Sequence, residues 1–310
     1  MRAYVGVTDI EWARHLASSQ ADEVNFWRPA GDRAFRALEV GEPFFFKTHY
    51  PDNRVVGGGF FSGFASLTIS DAWRIYGTAN GASTLEEMRA RVGRYRRVQL
   101  SRADDPKIGC VFIRDVRFFE EPAAAPPDFA ANVVQGKSYS FSDPAASPYF
   151  DLLFARLLGI TVQLEFSPSW HRPGPVWGDP RLARTRLGQR AFQGVVRGAY
   201  SHRCAVTGDR IRPVLQAAHV RPLTQGGEHR LDNGLLLRSD VHTLFDAGYL
   251  GINPHYTLEV SPLLRAEFGN GEEFYQRAAS KEPIAVPARP SDQPAREFLE
   301  WHLDEVFLRN

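Results

Sequence analysis

The chain has 310 residues, 43% of them apolar and 24% charged, the make-up of a water-soluble globular protein with room for two hydrophobic cores. Its net charge of +1 excludes a uniformly basic or acidic polyelectrolyte, yet residues 181–250 hold eleven arginines, no lysine and five acids, a local excess that suits a polyanionic partner. Cys110 and Cys204 are the only cysteines, which excludes a disulfide scaffold or a four-cysteine zinc site and fits a reducing cytoplasm; no run approaches the ~20 apolar residues that cross a bilayer, and no signal peptide is read.

Up to Glu121 the chain reads as short strands with two helical stretches. Ala3–Val7 starts as a strand and Asp9–Ser18 has helical spacing. Asn25–Pro29 reads as a polar, turn-like stretch. Glu42–Lys47 and Arg54–Phe61 form two strands around the turn-rich His49–Asn53. A helix begins near Ser70 or Asp71 and runs to Tyr76; Ser83–Met88 carries an N-cap signal and leads a basic helix to Arg97. Ile108–Ile113 and Val116–Phe119 read as buried strands. Strands with few helices between them predict a small, curled, mostly antiparallel sheet, and an α+β class for the whole chain.

Glu120–Asp128, rich in proline and alanine, reads as a linker or a long loop, and Asn132–Tyr139 as a compact turn. Phe166–Pro180 is a second break in regular structure. The expected division is a first domain over 1–150, a connector over 151–184 and a second domain over 185–310. Within the second, a helical stretch starts at Arg181, Pro283–Pro290 is a connector, and Asp292–Phe307 is an amphipathic helix expected to pack onto the core.

The chemistry-bearing segment begins at Cys204 and Thr207, continues through Leu215-Gln216-Ala217-Ala218-His219 and Gly226-Gly227, and ends with Leu231-Asp232-Asn233-Gly234, His242 and Phe245-Asp246-Ala247-Gly248. It resembles the HNH endonucleases, whose ββα-metal fold wraps a strand hairpin and a helix around one divalent ion. The resemblance covers about Arg186–Leu264. It implies that His219, after an apolar strand, is the general base, where a pKa near neutrality suits the task. It implies that Asn233 ties the hairpin loop and orients His219, and that His242 binds the metal. Asp246, four residues on and on the same helix face, is the expected second ligand. Many HNH proteins carry an Asp or His just before the base as a ligand. Here that position is Ala218, so the ligand set departs from the pattern. Gln216 ranks lower as a replacement, because strand alternation turns it away from His219. The metal is Mg²⁺ or Mn²⁺, with Zn²⁺ as the other choice. Cys204 and Thr207 cannot form a two-cysteine clip, so Cys204 reads as a small buried residue. His229 reads as an exposed loop residue. Arg203, Arg221, Arg230 and Arg238 are candidate phosphate contacts, Arg238 with a structural alternative.

The first domain's Gly41–Phe61, with Asn25–Pro29 before it and Asp71–Gly77 after it, resembles the PUA-like superfamily of EVE, ASCH and SRA domains. That resemblance implies a curled β-barrel with helices, and a pocket that reads a modified base. Trp27, Phe60, Trp73 and Tyr76 are candidates to stack the base, and Asn25, His49 and Asn80 to read its edge. For the aromatics the competing reading is barrel core. Gly57-Gly58-Gly59 fits either close approach to a ligand or a bulge. The two resemblances together imply a modification-dependent restriction-type endonuclease that acts on double-stranded DNA, reads a modified cytosine and works as a homodimer. Two alternatives stand beside it: an HNH nuclease directed by a nucleotide or RNA, and a reader whose nuclease has lapsed.

Overall fold

The computed structural model describes residues 1–31, 33–126, 128–130, 132–133, 135–143, 146–159 and 188–309. They divide into two compact units, Met1–Ala191 and Phe192–Asn310. Most of the expected connector, including Phe166–Pro180 and the start of the helical stretch at Arg181, lies outside the described residues.

The N-terminal unit is built on a six-stranded sheet. Its strands are β1 (Arg2–Thr8), β2 (Val24–Arg28), β3 (Pro43–Thr48), β4 (Arg54–Thr68), β5 (Lys107–Ala124) and β6 (Gly136–Ser140). The order across the sheet is β2-β5-β4-β3-β1-β6. Only β1 and β3 run parallel; the other neighbours are antiparallel. β4 and β5 are long, and their pairing shifts register at three places between Val55 and Gly63. Each shift bends the strands, which curls the sheet into a half-barrel. The three glycines fall at these bends. A Cβ on Gly58 would lie 2.6 Å from the Phe44 carbonyl oxygen and one on Gly57 2.5 Å from that of Arg117, so neighbouring strands already occupy the space. The bulge reading therefore applies, and not room for a ligand.

Alternation along the strands sorts the apolar residues onto two faces. Phe44 and Phe46 join Trp12, Leu16, Phe26, Phe61 and Val111 on one face. Phe45, Val5 and Tyr139 join Phe150, Leu153 and Leu157 on the other. The first face is covered by α1 (Ile10–Ser19); α2 (Ile69–Tyr76) and α3 (Leu85–Arg96) follow the long strand β4. Thr68 caps α2, two residues before Ser70 and three before Asp71, and Thr84 caps α3 with Glu87 reaching back to the Ser83 amide.

Several boundaries differ from the sequence reading. Asn25–Pro29 is not a turn: Val24–Arg28 forms an edge strand paired with β5. The two strands expected between Ile108 and Phe119 are one strand that continues to Ala124 and absorbs the start of the alanine-proline run. The turn expected at Asn132–Tyr139 ends in β6, paired with β1. The first domain also runs past 150. The helix α4 (Ser147–Leu157) buries Phe150, Leu153 and Leu157 in the sheet's second core, so a connector cannot begin at 151.

The C-terminal unit is a hairpin of β7 (Leu215–His219) and β8 (Gly234–Arg238), followed by α6 (Ser239–Asp246). The helix α5 (Gln189–Ala199) leads into it and buries Phe192 and Val196. Beyond α6 come a short hairpin, β9 (Leu250–Ile252) with β10 (Leu258–Val260), and three helices, α7 (Pro262–Phe268), α8 (Glu272–Ser280) and α9 (Arg296–Glu305). The tail helix α9 buries Phe298, Leu299 and His302. Among the described residues no helix is long and apolar enough to cross a membrane.

Candidate active site

The β7–β8 hairpin sets the register of the site. His219 stands opposite Gly234, and Ala218, fully buried, opposite Leu235. Leu215, Leu235, Leu236 and Leu237 are buried, so the hairpin has a rigid apolar base on which polar side chains can be held.

His219 leaves the end of β7. Its ring lies parallel to Phe192 with centroids 4.1 Å apart, and its Nε2 is 3.0 Å from Nδ1 of His229. Burial, then His229 and His242, push its pKa down to about 4. The ring is therefore neutral near pH 7, with a lone pair available to take a proton. The sequence placed that pKa near neutrality; the Phe192 stack and the second imidazole, neither visible from the motif, account for the difference.

His242 projects from α6. Its Nδ1 is 2.7 Å from the Gln216 amide oxygen, which can only accept, so Nδ1 carries the proton and Nε2 presents a lone pair. That Nε2 is 3.2 Å from Oδ2 of Asp246, one helical turn on. Burial raises the Asp246 pKa and the neighbouring imidazole lowers it. A lone pair and a carboxylate oxygen at this separation repel unless a cation lies between them. Two ligands on one edge of an octahedron with ~2.1 Å bonds lie about 3.0 Å apart, which matches this pair. The residues present thus fit a divalent cation held by His242 and Asp246. Among the described residues no cluster of three His, Cys, Asp or Glu side chains forms a metal cage. Two protein donors are the usual share for Mg²⁺ or Mn²⁺ bound together with substrate phosphate.

His219, His242 and Asp246 open onto one cleft of about 360 Å³, with Val220, Pro222, Leu223 and Thr224 on its rim and His302 and Val306 from the tail. His302 stacks on Phe245 with centroids 3.7 Å apart and donates from Nε2 to the Phe245 carbonyl at 3.0 Å. It thereby grips the end of the helix that carries both candidate ligands. Burial pushes its pKa down to about 4.

Asn233 does not touch the cleft. Fully buried, it accepts from the Arg221 amide at 2.9 Å and donates to the carbonyls of Arg221 at 2.9 Å and Glu228 at 3.0 Å. It fastens the strand end after His219 to the loop that carries His229. Cys204 is buried, and its sulfur accepts from the Thr207 and Arg238 amides. Of the candidate phosphate contacts, Arg203 is exposed. Arg230 is bound to Asp232, and Arg238 to Asp209 and Asp240. Arg221 donates to the Gln225 carbonyl and lies over Trp301.

In the N-terminal unit hydrogen bonds join three of the expected pocket residues, Asn25, Trp27 and Asn80. Tyr76 is 2% exposed and stacks on Phe112, which makes it core. Phe60 packs edge-on to Phe154. Asn25 donates to the Asn80 side-chain oxygen while its own buried side-chain oxygen has no hydrogen-bond partner, and Asn80 donates to the Ala72 and Gly77 carbonyls. Trp73 is half-buried on α2. Trp27, half-buried on β2, donates to the Asn80 carbonyl and meets the ring of Tyr95, which is 41% exposed. Tyr95 donates to Asp9 at 2.6 Å, and Arg94 and His49 flank the same carboxylate at 3.5 and 3.8 Å.

Residues 204–253 match the model of a family described as HNH endonuclease. This is the segment in which His219, Asn233 and His242 carry the resemblance. No curated protein matches the chain. Among solved structures, the chain is similar to an ASCH protein from Zymomonas mobilis, at 13% identity over 48% of this chain and 94% of that one, with a TM-score of 0.35. It is also similar to the modification dependent TagI restriction endonuclease, at 16% identity over 92% of this chain and 76% of that one, with a TM-score of 0.29.

Proposed function

We propose that the chain is a divalent-metal-dependent endodeoxyribonuclease of the HNH type whose N-terminal unit directs it to double-stranded DNA carrying a modified base, modified cytosine first. The observation that carries the nuclease reading is the single cleft shared by His219, His242 and Asp246.

In this reading His219, held neutral by burial, takes the proton of the attacking water beside the scissile phosphate. His242 and Asp246 hold the cation, which supplies charge stabilisation at the phosphate and the leaving 3′ oxygen. Asn233 keeps the strand end and loop in register. Arg203, exposed beside the hairpin base, is the first candidate for a phosphate contact; Arg221, Arg230 and Arg238 shape the fold around it through the partners they already have. For the reader, the half-exposed pair Trp27 and Tyr95, with Asp9, Arg94 and His49 beside it, offers flat and hydrogen-bonding groups at the surface. Cutting both strands calls for two nuclease units, hence a homodimer.

The test is a cleavage panel of methylated, hydroxymethylated and plain duplexes with Mg²⁺ and Mn²⁺. Cleavage that needs metal, favours modified DNA and vanishes in His219→Ala while DNA binding persists is the expected result. Equal rates on all duplexes would remove the modified-base reading and leave a nuclease directed by another signal, such as a nucleotide or RNA. Binding without any metal-dependent nicking would leave only a lapsed reader.

A further inference from the structure

His229 has no place in the motif that defines the nuclease segment, yet it is the closest polar neighbour described for the candidate base. Its Nδ1 lies 3.0 Å from His219 Nε2. The contact is built rather than incidental. Phe192 packs flat on His219 at 4.1 Å and also meets the His229 ring at 5.6 Å, so one side chain supports both imidazoles. The loop that brings His229 in is fastened at both ends. Asn233 donates to the Glu228 carbonyl, one residue before His229, and Arg230, one residue after it, donates its amide to the same carbonyl. Gly227 allows the turn: a Cβ there would sit 1.9 Å from the Arg221 carbonyl oxygen.

Two neutral imidazoles in such contact share one proton, so one ring donates and the other accepts. A ring that donates from Nε2 keeps its lone pair on Nδ1, and a ring that accepts at Nε2 carries its proton on Nδ1 and cannot act as a base there. We propose that His229 is the positioning residue of the nuclease site: it accepts from His219 Nε2–H and fixes the base in the tautomer whose Nδ1 is free to take the proton of water. The hydrogen-bonded partner of the base is thus a neutral imidazole and not the carboxylate that more commonly orients a histidine. The inference rests on the reading of His219 as general base.

The test uses the full chain, saturating Mn²⁺ and bis(p-nitrophenyl) phosphate, a diester with no base to recognise. His229→Leu is expected to lose ~10- to 100-fold in kcat with KM within about threefold of wild type. His229→Asn, whose side-chain oxygen can stand where Nδ1 stood, is expected to return to within about threefold of the wild-type kcat. A His229→Leu rate within about twofold of wild type, or His229→Asn no better than His229→Leu, would overturn the proposal. Nitrogen-15 spectra of labelled histidine give a reading independent of turnover. His219 protonated at Nε2 in the wild type supports the assignment, and protonation at Nδ1 ends it. Wild-type turnover in His219→Ala would instead remove the general-base reading itself, whatever the His229 variants do.

Discussion

At His242 the choice of nitrogen decides whether the ring can hold a metal. The Gln216 oxygen 2.7 Å from Nδ1 fixes the proton there and leaves Nε2 beside Asp246. Gln216→Leu removes that acceptor without touching either candidate ligand. The Mn²⁺ concentration for half-maximal cleavage should rise ~10- to 100-fold, with the rate at saturation little changed. Calorimetric titration of Mn²⁺ checks the same point without turnover, and unaltered affinity would sink the assignment. The sequence could not show this role, because strand alternation separates Gln216 from His219 and says nothing of a helix that returns to meet it. The same holds for His302, 57 residues from the carbonyl it binds. Its pKa is depressed in the folded state, so the stability it contributes is full above the ordinary value of ~6.5 and is lost as pH falls toward 4, where the unfolded chain takes up the proton first. His302→Gln keeps a donor for the Phe245 carbonyl but does not titrate. Wild type should lose ~2–3 kcal/mol more than this variant between pH 7 and pH 4. Parallel melting curves of the two proteins across that range would contradict it.

Elements with a local cause were the legible ones. The Thr84 cap with Glu87 reaching back lies within five residues, and α3 starts where that pattern puts it. The hairpin and helix of the nuclease segment were legible through the family resemblance that its motif residues carry. What failed depended on distant partners. Asn25–Trp27 looked like a polar turn, but β5 supplies its ladder from some 85 residues away, and Asn80 accepts from the Asn25 side-chain N–H. Ala123 and Ala124 looked like connector, yet they pair with Val55 and Arg54. The tail helix α9 was legible from its apolar spacing, but its part in the cleft was not. Leu299, fully buried, anchors it. Leu299→Ala should cost ~2–5 kcal/mol in denaturant unfolding of the C-terminal unit. Because His302 and Val306 line the cleft, cleavage at temperatures near the new midpoint should fall in step. A destabilised variant with full activity there would show that the tail is not needed to shape the site.

The whole molecule divides between a unit proposed to cut and a unit proposed to choose, and this division makes selectivity separable from chemistry. The groups proposed to cut all belong to Phe192–Asn310, and the surface group around Trp27 and Tyr95 to Met1–Ala191. Trp27 is the side chain on which the two halves of the reading can be told apart, since it is half-exposed while its neighbour Trp12 is core. One stacked base on an aromatic ring contributes ~1–3 kcal/mol, which corresponds to roughly 5- to 150-fold in relative rate. Trp27→Ala should therefore lower cleavage of modified over plain duplex by that factor. Hydrolysis of bis(p-nitrophenyl) phosphate by the same variant should stay at the wild-type rate, because nothing in the nuclease cleft depends on a base being read. Loss of both activities would point to a folding defect, which Trp27→Phe resolves: the ring remains and only the bond to the Asn80 carbonyl is given up. If Trp27→Phe hydrolyses the small diester normally, and Trp27→Ala still prefers modified DNA as strongly as wild type does, the choice is made elsewhere on the N-terminal unit.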